Sequence, residues 1–219
     1  MPNGSVDTTF NGTGVIVIKL GMADPEENEA ISIALQKDGK VLVCGAYVAG
    51  KIVSSYITRY NASGELDSSF NGGRPVVIES PDFGMISAST ISVRDSDGTI
   101  VVVGGAYDKW SSTPSTETPW IAVLNSSGSF SLVFNNGKPL FSRVVSSNST
   151  WQNCAWQEDG DAIFVSGTVV ARYLLSGQLD LSFNGKGWNS VRNSYRDMQL
   201  TNDKKLALVG QASLLRYLT

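Results

Sequence analysis

The segment LDSSFNGG, residues 66–73, decides the fold because the chain repeats it. A near copy, LDLSFNGK, occupies residues 179–186, and two more divergent versions, VDTTFNGT and FSLVFNNG, occupy residues 6–13 and 130–137. We call these four copies the repeat segments. Their phenylalanines, which are spaced by 60, 64 and 49 residues, are Phe10, Phe70, Phe134 and Phe183. A period of this length indicates an array of similar structural units.

Each repeat segment is accompanied by the same succession of short apolar runs. In the first unit these are GVIVIKL (14–20), EAISIALQ (29–36), VLVCGAY (41–47) and SSYITRYN (54–61), and comparable runs recur in the other units. The runs are rich in β-branched residues and end at Gly, Asn, Asp or Ser, which is typical of strands. The 22 glycines and the low charged fraction of 17% also favour an all-β chain with many turns.

In three of the units, an Asp-Gly pair separates the second apolar run from the third. They are Asp38-Gly39, Asp97-Gly98 and Asp159-Gly160. Such pairs predict two-residue hairpins with primed turns, because glycine adopts positive φ without a Cβ clash. The fourth unit has Lys204 where glycine is expected, so we predict that this hairpin is strained or rearranged.

Four antiparallel strands repeated radially form a β-propeller. We therefore predict an all-β, single-domain propeller over residues 1–219 with four four-stranded blades. The repeat units run approximately over residues 1–61, 62–125, 126–174 and 175–219. In this interpretation the repeated Phe is an apolar plug between blades, and Asn-Gly is the turn that begins the outer strand.

The stretch DGKVLVCGA…ITRYNASGELDSSFNGG, residues 38–73, resembles the delta-60 repeat, a bacterial β-propeller repeat. The third unit is a fair match to this repeat, and the second and fourth are degenerate. The resemblance implies the propeller fold and no particular activity. It also implies a secreted or cell-surface location as part of a larger protein.

An arginine and an aspartate recur together at a spacing of eight residues. The pairs are Arg59 with Asp67 and Arg172 with Asp180, whereas the second unit has Val123 and Ser131 at the two positions. Because both residues are present or both are absent, we interpret them as a structural ion pair. A metal or sugar ligand is the alternative role for the repeated Asp. The same logic predicts that Arg216 pairs with Asp7.

The chain begins with a repeat segment and ends where the next one would start. We therefore predict that residues 14–20 form the outermost strand of the last blade, beside residues 213–219, and close the ring. The rival architecture is an open half-ring in which two chains assemble eight blades. A monomer or a small homo-oligomer is expected.

Composition restricts the chemistry that the chain can perform. The absence of His removes the usual general base, the Ser-His and Cys-His pairs and most zinc sites, so we expect no cofactor or metal. Scattered basic residues and a net charge of -3 argue against nucleic acid as a partner. No apolar stretch is long enough for membrane insertion. Cys44 and Cys154 lie in apolar runs and are expected to be buried thiols.

Propellers carry function in the loops at one mouth of the ring. Aromatic residues accompanied by polar groups occur in the predicted mouth loops, and this pattern suits a sugar ring or a peptide side chain. The candidate ligand-binding residues are Asp82, Phe83, Trp110, Asn148, Trp151, Tyr195 and Arg196. The alternative is that the aromatics plug the central channel or the crevices between blades.

These features favour a non-catalytic binding or adhesion module for a glycan, a peptide or a protein surface. The chain is more consistent with a binding protein than with an enzyme. The alternatives are a structural scaffold and a carbohydrate-active enzyme. An enzyme would have to use the loop carboxylates Asp24, Glu26, Glu27 or Asp82.

Overall fold

The computed structural model describes residues 4–20, 28–108, 117–145, 150–157, 161–191, 195–210 and 213–218. The described residues form an all-β structure in which the only helical elements are single turns of 3-10 helix. None of their helices is long and apolar enough to cross a membrane. The all-β prediction is therefore confirmed.

The strands form four successive groups, which we call blades 1 to 4. Blade 1 contains β1 (Asn28–Leu35), β2 (Val41–Ala49), β3 (Ile52–Tyr60) and β4 (Val76–Ile78). Blade 2 contains β5 (Phe83–Val93), β6 (Ile100–Asp108), β7 (Thr118–Leu124) and β8 (Leu140–Phe141). Blade 3 contains β9 (Asn153–Gln157), β10 (Ala162–Ser166), β11 (Val169–Leu174) and β12 (Trp188–Ser190). Blade 4 contains β13 (Tyr195–Leu200), β14 (Leu206–Gly210) and β15 (Ser213–Tyr217).

Neighbouring strands within each blade pair antiparallel, in chain order. A single parallel pairing, Val53 with Met85, joins blades 1 and 2 into one sheet. The first strands β1, β5, β9 and β13 follow one another in space in that order, because each packs against the next. The blades therefore form a series with blade 1 at one end and blade 4 at the other.

Alternate residues of each second strand face opposite neighbours, as the period of two in a strand requires. We call the surface toward the preceding blade the front and the surface toward the following blade the back. In blade 2, Val102 of the front belongs to the same apolar cluster as Leu42 of blade 1, and Val103 of the back belongs to the same cluster as Ile163 of blade 3. The apolar core thus consists of three layers, each lying between successive blades.

The repeat segments have the predicted structural roles. Phe70, Phe134 and Phe183 are buried, and each lies in a different one of the three inter-blade layers. The asparagine that follows each repeated Phe adopts positive φ, which Asn tolerates better than most residues. In the second segment the Asn71 side-chain amide donates to the Pro75 carbonyl oxygen at 2.9 Å and fixes the entry into β4.

The hairpin turns differ from the prediction in one respect. At residues 36–40, Gly39 has φ +82 while Asp38 is not left-handed, so only one residue of the Asp-Gly pair adopts positive φ. The Gly39 amide donates to the Gln36 carbonyl oxygen, and the Gln36 amide donates to Lys40. This pattern is a three-residue loop with a glycine bulge and not a two-residue primed turn. The pair Asp159-Gly160 lies outside the described residues.

Lys204 occupies the glycine position of the fourth hairpin, with φ +61. The Thr201 amide donates to Lys205, and the Lys204 amide donates to Thr201, which is the same arrangement as at Gln36 and Gly39. The turn therefore has the same shape as the first hairpin turn, although a non-glycine residue adopts the left-handed region. Of the two predicted outcomes, strain is the one found.

The predicted closure of the ring is wrong for this structure. Residues 15–20 are not part of any strand, and within the described chain β15 pairs with β14 alone. Residues 16–20 instead line a cavity of about 320 Å³ against Thr58, Tyr60 and Leu66 of blade 1. Among the described residues, blade 4 consequently has three strands. A strand's partner is decided by long-range packing, which the apolar pattern of residues 14–20 does not specify.

Candidate functional site

The candidate site is the end of the blades at which the first and third strands begin. Pairing of Phe83 with Asp108, of Thr118 with Ala106 and of Trp120 with Phe141 places the start of β5, the end of β6, the start of β7 and the end of β8 at one end. We call this end the mouth. It is the end at which the sequence predicted the ligand-binding loops, and much of its loop chain lies outside the described residues.

Two of the predicted ligand aromatics are buried between blades. Trp151 packs edge-on against Tyr173, with ring centroids 6.3 Å apart, in the layer between blades 2 and 3. Tyr195 belongs to the layer between blades 3 and 4, and its carbonyl oxygen accepts a hydrogen bond from Asn153 at 3.2 Å. Neither ring offers a face to a ligand at the surface. These two residues follow the alternative interpretation, in which the aromatics fill the crevices between blades.

The third described aromatic, Phe83, is half-buried and lies against Phe141. Their ring centroids are 5.1 Å apart with an interplanar angle of 30°, so one face of Phe83 is already occupied. The chain before β5 enters the mouth through a turn in which the Asp82 amide donates to the Ser80 hydroxyl at 3.3 Å. Asp82 itself is exposed.

Arg196 is exposed on β13, next to the buried Tyr195. No hydrogen bond or ion pair joins Arg196 to Asp82 within the described ranges, so the structure does not bring these two charges together. Trp110 and Asn148 lie outside the described residues. Of the seven predicted residues, the described structure thus leaves Asp82 and Arg196 exposed at the starts of different blades.

Sequence reasoning overlooked Met85, an apolar residue that the mouth exposes. Met85 pairs with Val53 where blades 1 and 2 join, and 39% of its surface is accessible. Ile52, which begins β3 next to Val53, is exposed to the same extent. The predicted site contained aromatic and polar side chains only, because an apolar side chain within an apolar run is usually part of the core.

The repeated aspartates have a structural role. Asp67 accepts a 2.8 Å hydrogen bond from Arg59 Nε, and both side chains are largely buried. Asp180 accepts from Arg172 at the same distance. In both copies the other carboxylate oxygen caps its own turn, accepting from the amide and hydroxyl of Ser69 or Ser182. The predicted ion pairs are confirmed, and they account for the repeated Asp without a ligand.

The predicted pair of Arg216 with Asp7 is wrong. Arg216 bonds to Asp203 in the neighbouring hairpin, and within the described chain Asp7 has no arginine contact. The physical reason is the open end of blade 4, which leaves residues 4–20 on the far side of blade 1. Arg216 pairs instead with Asp203, in the turn between β13 and β14.

The carboxyl groups with displaced pKa values are poorly suited to general acid catalysis, which needs a raised pKa. A hydrogen bond from the Ser69 hydroxyl is the main cause that lowers the pKa of Asp67, and one from Arg94 lowers the pKa of Asp97. At Asp180, burial favours a higher pKa, yet hydrogen bonds from Ser182 and the charge of Arg172 outweigh it and lower the pKa. The loop carboxylates Asp24, Glu26 and Glu27 lie outside the described residues.

Both cysteines are free and buried, as predicted. Burial raises the pKa of the Cys44 thiol to about 12 and raises that of Cys154 as well. A thiol with so high a pKa is not a nucleophile near neutral pH. In the described part of the chain, no group of three or more Cys, Asp or Glu side chains is arranged to hold a metal ion.

A family model described as "Domain of unknown function (DUF5122) beta-propeller" matches residues 36–70. This stretch runs from the first hairpin turn to the repeated Phe70 and supports a β-propeller repeat. No curated protein matches the chain. Two solved structures of Sqt1 from Chaetomium thermophilum are similar to it at 10% and 11% sequence identity, each with a TM-score of 0.39. The matches cover 83% of this chain and 56% of Sqt1, so the chain spans just over half the length of that protein.

Proposed function

We propose that this β-propeller-like chain is a non-catalytic binding module that holds a peptide or protein surface at its mouth. The observation that carries the proposal is the contrast between a rigid frame and exposed side chains at the mouth. Trp151 and Tyr195 anchor the starts of blades 3 and 4 in the core, whereas Asp82, Met85 and Arg196 are exposed near strand starts. Rigid elements that display polar and apolar side chains suit recognition of a surface.

A protein or peptide ligand fits the described mouth better than a stacked sugar ring. Sugar stacking needs a free aromatic face. Among the described candidates, Trp151 and Tyr195 are buried and Phe83 is covered on one side by Phe141. What remains at the surface is an aliphatic contact at Met85 with charges of both signs, a mixture typical of protein interfaces.

A glycan ligand is the second candidate, and it rests on Trp110 and the loop around it, which lie outside the described residues. In either case the absence of His argues for binding rather than catalysis. We also propose that the module acts as an adhesive domain of a larger protein at the cell surface or outside the cell. Antibody labelling of intact source cells tests that location, and a signal only after lysis would contradict it.

The ligand class is tested by probing the intact chain on a peptide display library and on a glycan array. We expect peptide binders whose affinity falls at least tenfold in Met85→Glu and in a charge reversal at Asp82. Lys37→Glu, an exposed substitution at the opposite end of the blades, is the matched control and should leave binding unchanged. Binding that survives both mouth substitutions would refute the site. Glycan binding lost on Trp110→Ala would instead favour the second candidate.

A further inference from the structure

The front of blade 1 has the composition of an inter-blade contact, yet no blade covers it in the part of the chain that the structure describes. Ile33 pairs in register with Val43, as Ile91, Cys154 and Met198 pair with the equivalent residues of the other second strands. Those three side chains are 4–7% exposed in the layers between blades, whereas Ile33 is 64% exposed. Leu35, two residues along the same face, is also exposed. An apolar face of this kind is a place for a further blade to pack.

The back of blade 4 is uncovered in the same way. Leu214 pairs with Val209, and its equivalents in the third strands of the other blades are Ile57, Ile121 and Val170. The three equivalents are fully buried by the blade that follows them, whereas 74% of Leu214 is exposed. Val209 is exposed as well. The two ends of the series therefore present the two halves of one inter-blade contact.

The N-terminal repeat segment is already seated on blade 1 as the outer part of a preceding blade would be. In the second and third repeat segments the backbone amide of Asn71 donates to the Ser127 carbonyl oxygen at 2.8 Å, and the backbone amide of Asn135 donates to the Ser176 carbonyl oxygen at 3.2 Å. Asn11 makes the equivalent bond to Ser63 at 2.7 Å. Residues 4–20 thus supply the outer part of a blade whose three inner strands must come from elsewhere.

Blade 4 lacks that same outer part. Its Asn184 has the positive φ of the other repeat-segment asparagines, but in the described chain no turn docks on its amide. Beside it lies a groove of about 620 Å³ lined by residues that include Phe183, Asn184, Arg216 and Tyr217. Within the described chain, the outer edge of β15 is unpaired over the same length at which β3 receives β4.

The turn that would fill this groove exists at the N-terminus. Gly64, Gly128 and Gly177 stand six residues before a repeated Phe, have positive φ, and each packs closely on a repeat-segment asparagine of the preceding copy. Gly4 stands at the same place before Phe10 and has φ +77, yet no described residue other than its chain neighbours lies within 4 Å of its Cβ position. In the described structure, the groove beside Asn184 therefore lacks a turn of the kind that Gly4 forms, and the Gly4 turn lacks an asparagine to pack on.

We propose that two copies of this chain associate head to tail, so that residues 4–20 of each copy complete blade 4 of the other. By the register of β4 on β3, where Val76 pairs with Ile57, Ile16 of one copy lies opposite Leu214 of the other. The Gly4 turn docks on Asn184, and Asp7 gains the arginine partner, Arg216, that it lacks within one copy. The front of blade 1 covers Val209 and Leu214, and two such joints close a ring of eight blades.

A second copy is the occupant that the structure favours. Within one molecule, residues 4–20 are held on blade 1 by the bond between Asn11 and Ser63, at the opposite end of the series from β15. A second copy of the same chain offers both the strand and the face that blade 4 lacks. Addition of a strand to an open sheet edge also uses backbone bonds that are otherwise unpaired.

Disulfide trapping tests the joint and its connectivity. We would mix Ile16→Cys chains with Leu214→Cys chains under reducing conditions and then oxidise them with oxidised glutathione. We expect a covalent dimer of about twice 23.4 kDa that neither variant forms alone. The matched control replaces Leu214→Cys by Leu132→Cys, an exposed site on another blade, and should give no dimer.

The double variant Ile16→Cys/Leu214→Cys distinguishes closure within one chain from closure between two chains. An intramolecular disulfide in a chain that sediments at 23.4 kDa would overturn the proposal, and so would failure of the mixed variants to crosslink. Sedimentation of the native chain should give twice the monomer mass. Leu214→Glu should halve that mass and leave the circular dichroism spectrum unchanged. Leu132→Glu should leave the mass at twice that of the monomer.

Discussion

The Arg59 guanidinium joins Asp67 of its own blade to the next blade. Its Nε donates to the Asp67 carboxylate at 2.8 Å, and its Nη1 donates to the Ser126 carbonyl oxygen of blade 2 at 2.6 Å. The same guanidinium lies over the Phe70 ring, 4.8 Å from its centroid. The pair therefore does more than balance charge, because it fixes the apolar plug and the adjoining turn in one arrangement.

Asp67→Asn should lower the free energy of unfolding by about 2 kcal/mol, because the buried guanidinium keeps its desolvation cost and loses its charged partner. Urea denaturation at pH 7 measures this loss. Asp82→Asn, at an exposed site of the mouth, is the control and should change the free energy by less than about 0.5 kcal/mol. Equal effects of the two substitutions would contradict a structural role for Asp67.

Stability should decrease when the pH falls below about 4. Hydrogen bonds from Ser69 and Arg94 lower the folded pKa values of Asp67 and Asp97 below the unfolded value of about 3.9. Such groups contribute stability above the unfolded pKa and lose it as the pH falls through the folded pKa. The free-energy difference between the native chain and Asp67→Asn should therefore shrink below about pH 4, as urea titrations at stepped pH would record. A difference that stays constant down to pH 2 would argue against this linkage.

Phe70→Ala should cost about 3–5 kcal/mol, because Phe70 is buried between blades 1 and 2 and its removal leaves a cavity. Thermal or chemical unfolding measures the loss. Leu132→Ala, at an exposed position of another repeat segment, is the matched control and should change stability by less than about 0.5 kcal/mol. A small loss at Phe70 would mean that the plug is not a main support of the interface.

Lys204→Gly should stabilise the chain by about 0.5–1 kcal/mol, since glycine relieves the left-handed strain at φ +61 and loses part of the gain to chain entropy. The reverse substitution, Gly39→Lys at φ +82, should destabilise it. Paired urea denaturation curves measure both changes. If Lys204→Gly proved destabilising, contacts of the lysine side chain would outweigh the backbone strain.

The amino-acid sequence was sufficient to predict the repeat units, the strands, the apolar role of Phe70 and the pairing of Arg59 with Asp67. These features follow from short-range patterns: strand periodicity, turn residues such as Asn71, and an arginine and aspartate that are present or absent together across units. Each pattern is repeated along the chain, so one copy checks another. The same repetition was enough to predict the all-β class, although the sequence contains no catalytic motif.

Which surfaces are covered depends on the packing of the blades and could not be predicted from the sequence. Trp151 and Tyr195 precede or begin strands in loops that resemble binding loops, and only the packing of successive blades shows that both rings are buried. Likewise, Arg216 pairs with Asp203 and not with Asp7, and residues 14–20 do not pair with β15. Both outcomes depend on where distant segments of the chain lie. Local pattern fixes what a residue can contact, whereas long-range packing fixes which of those contacts it makes.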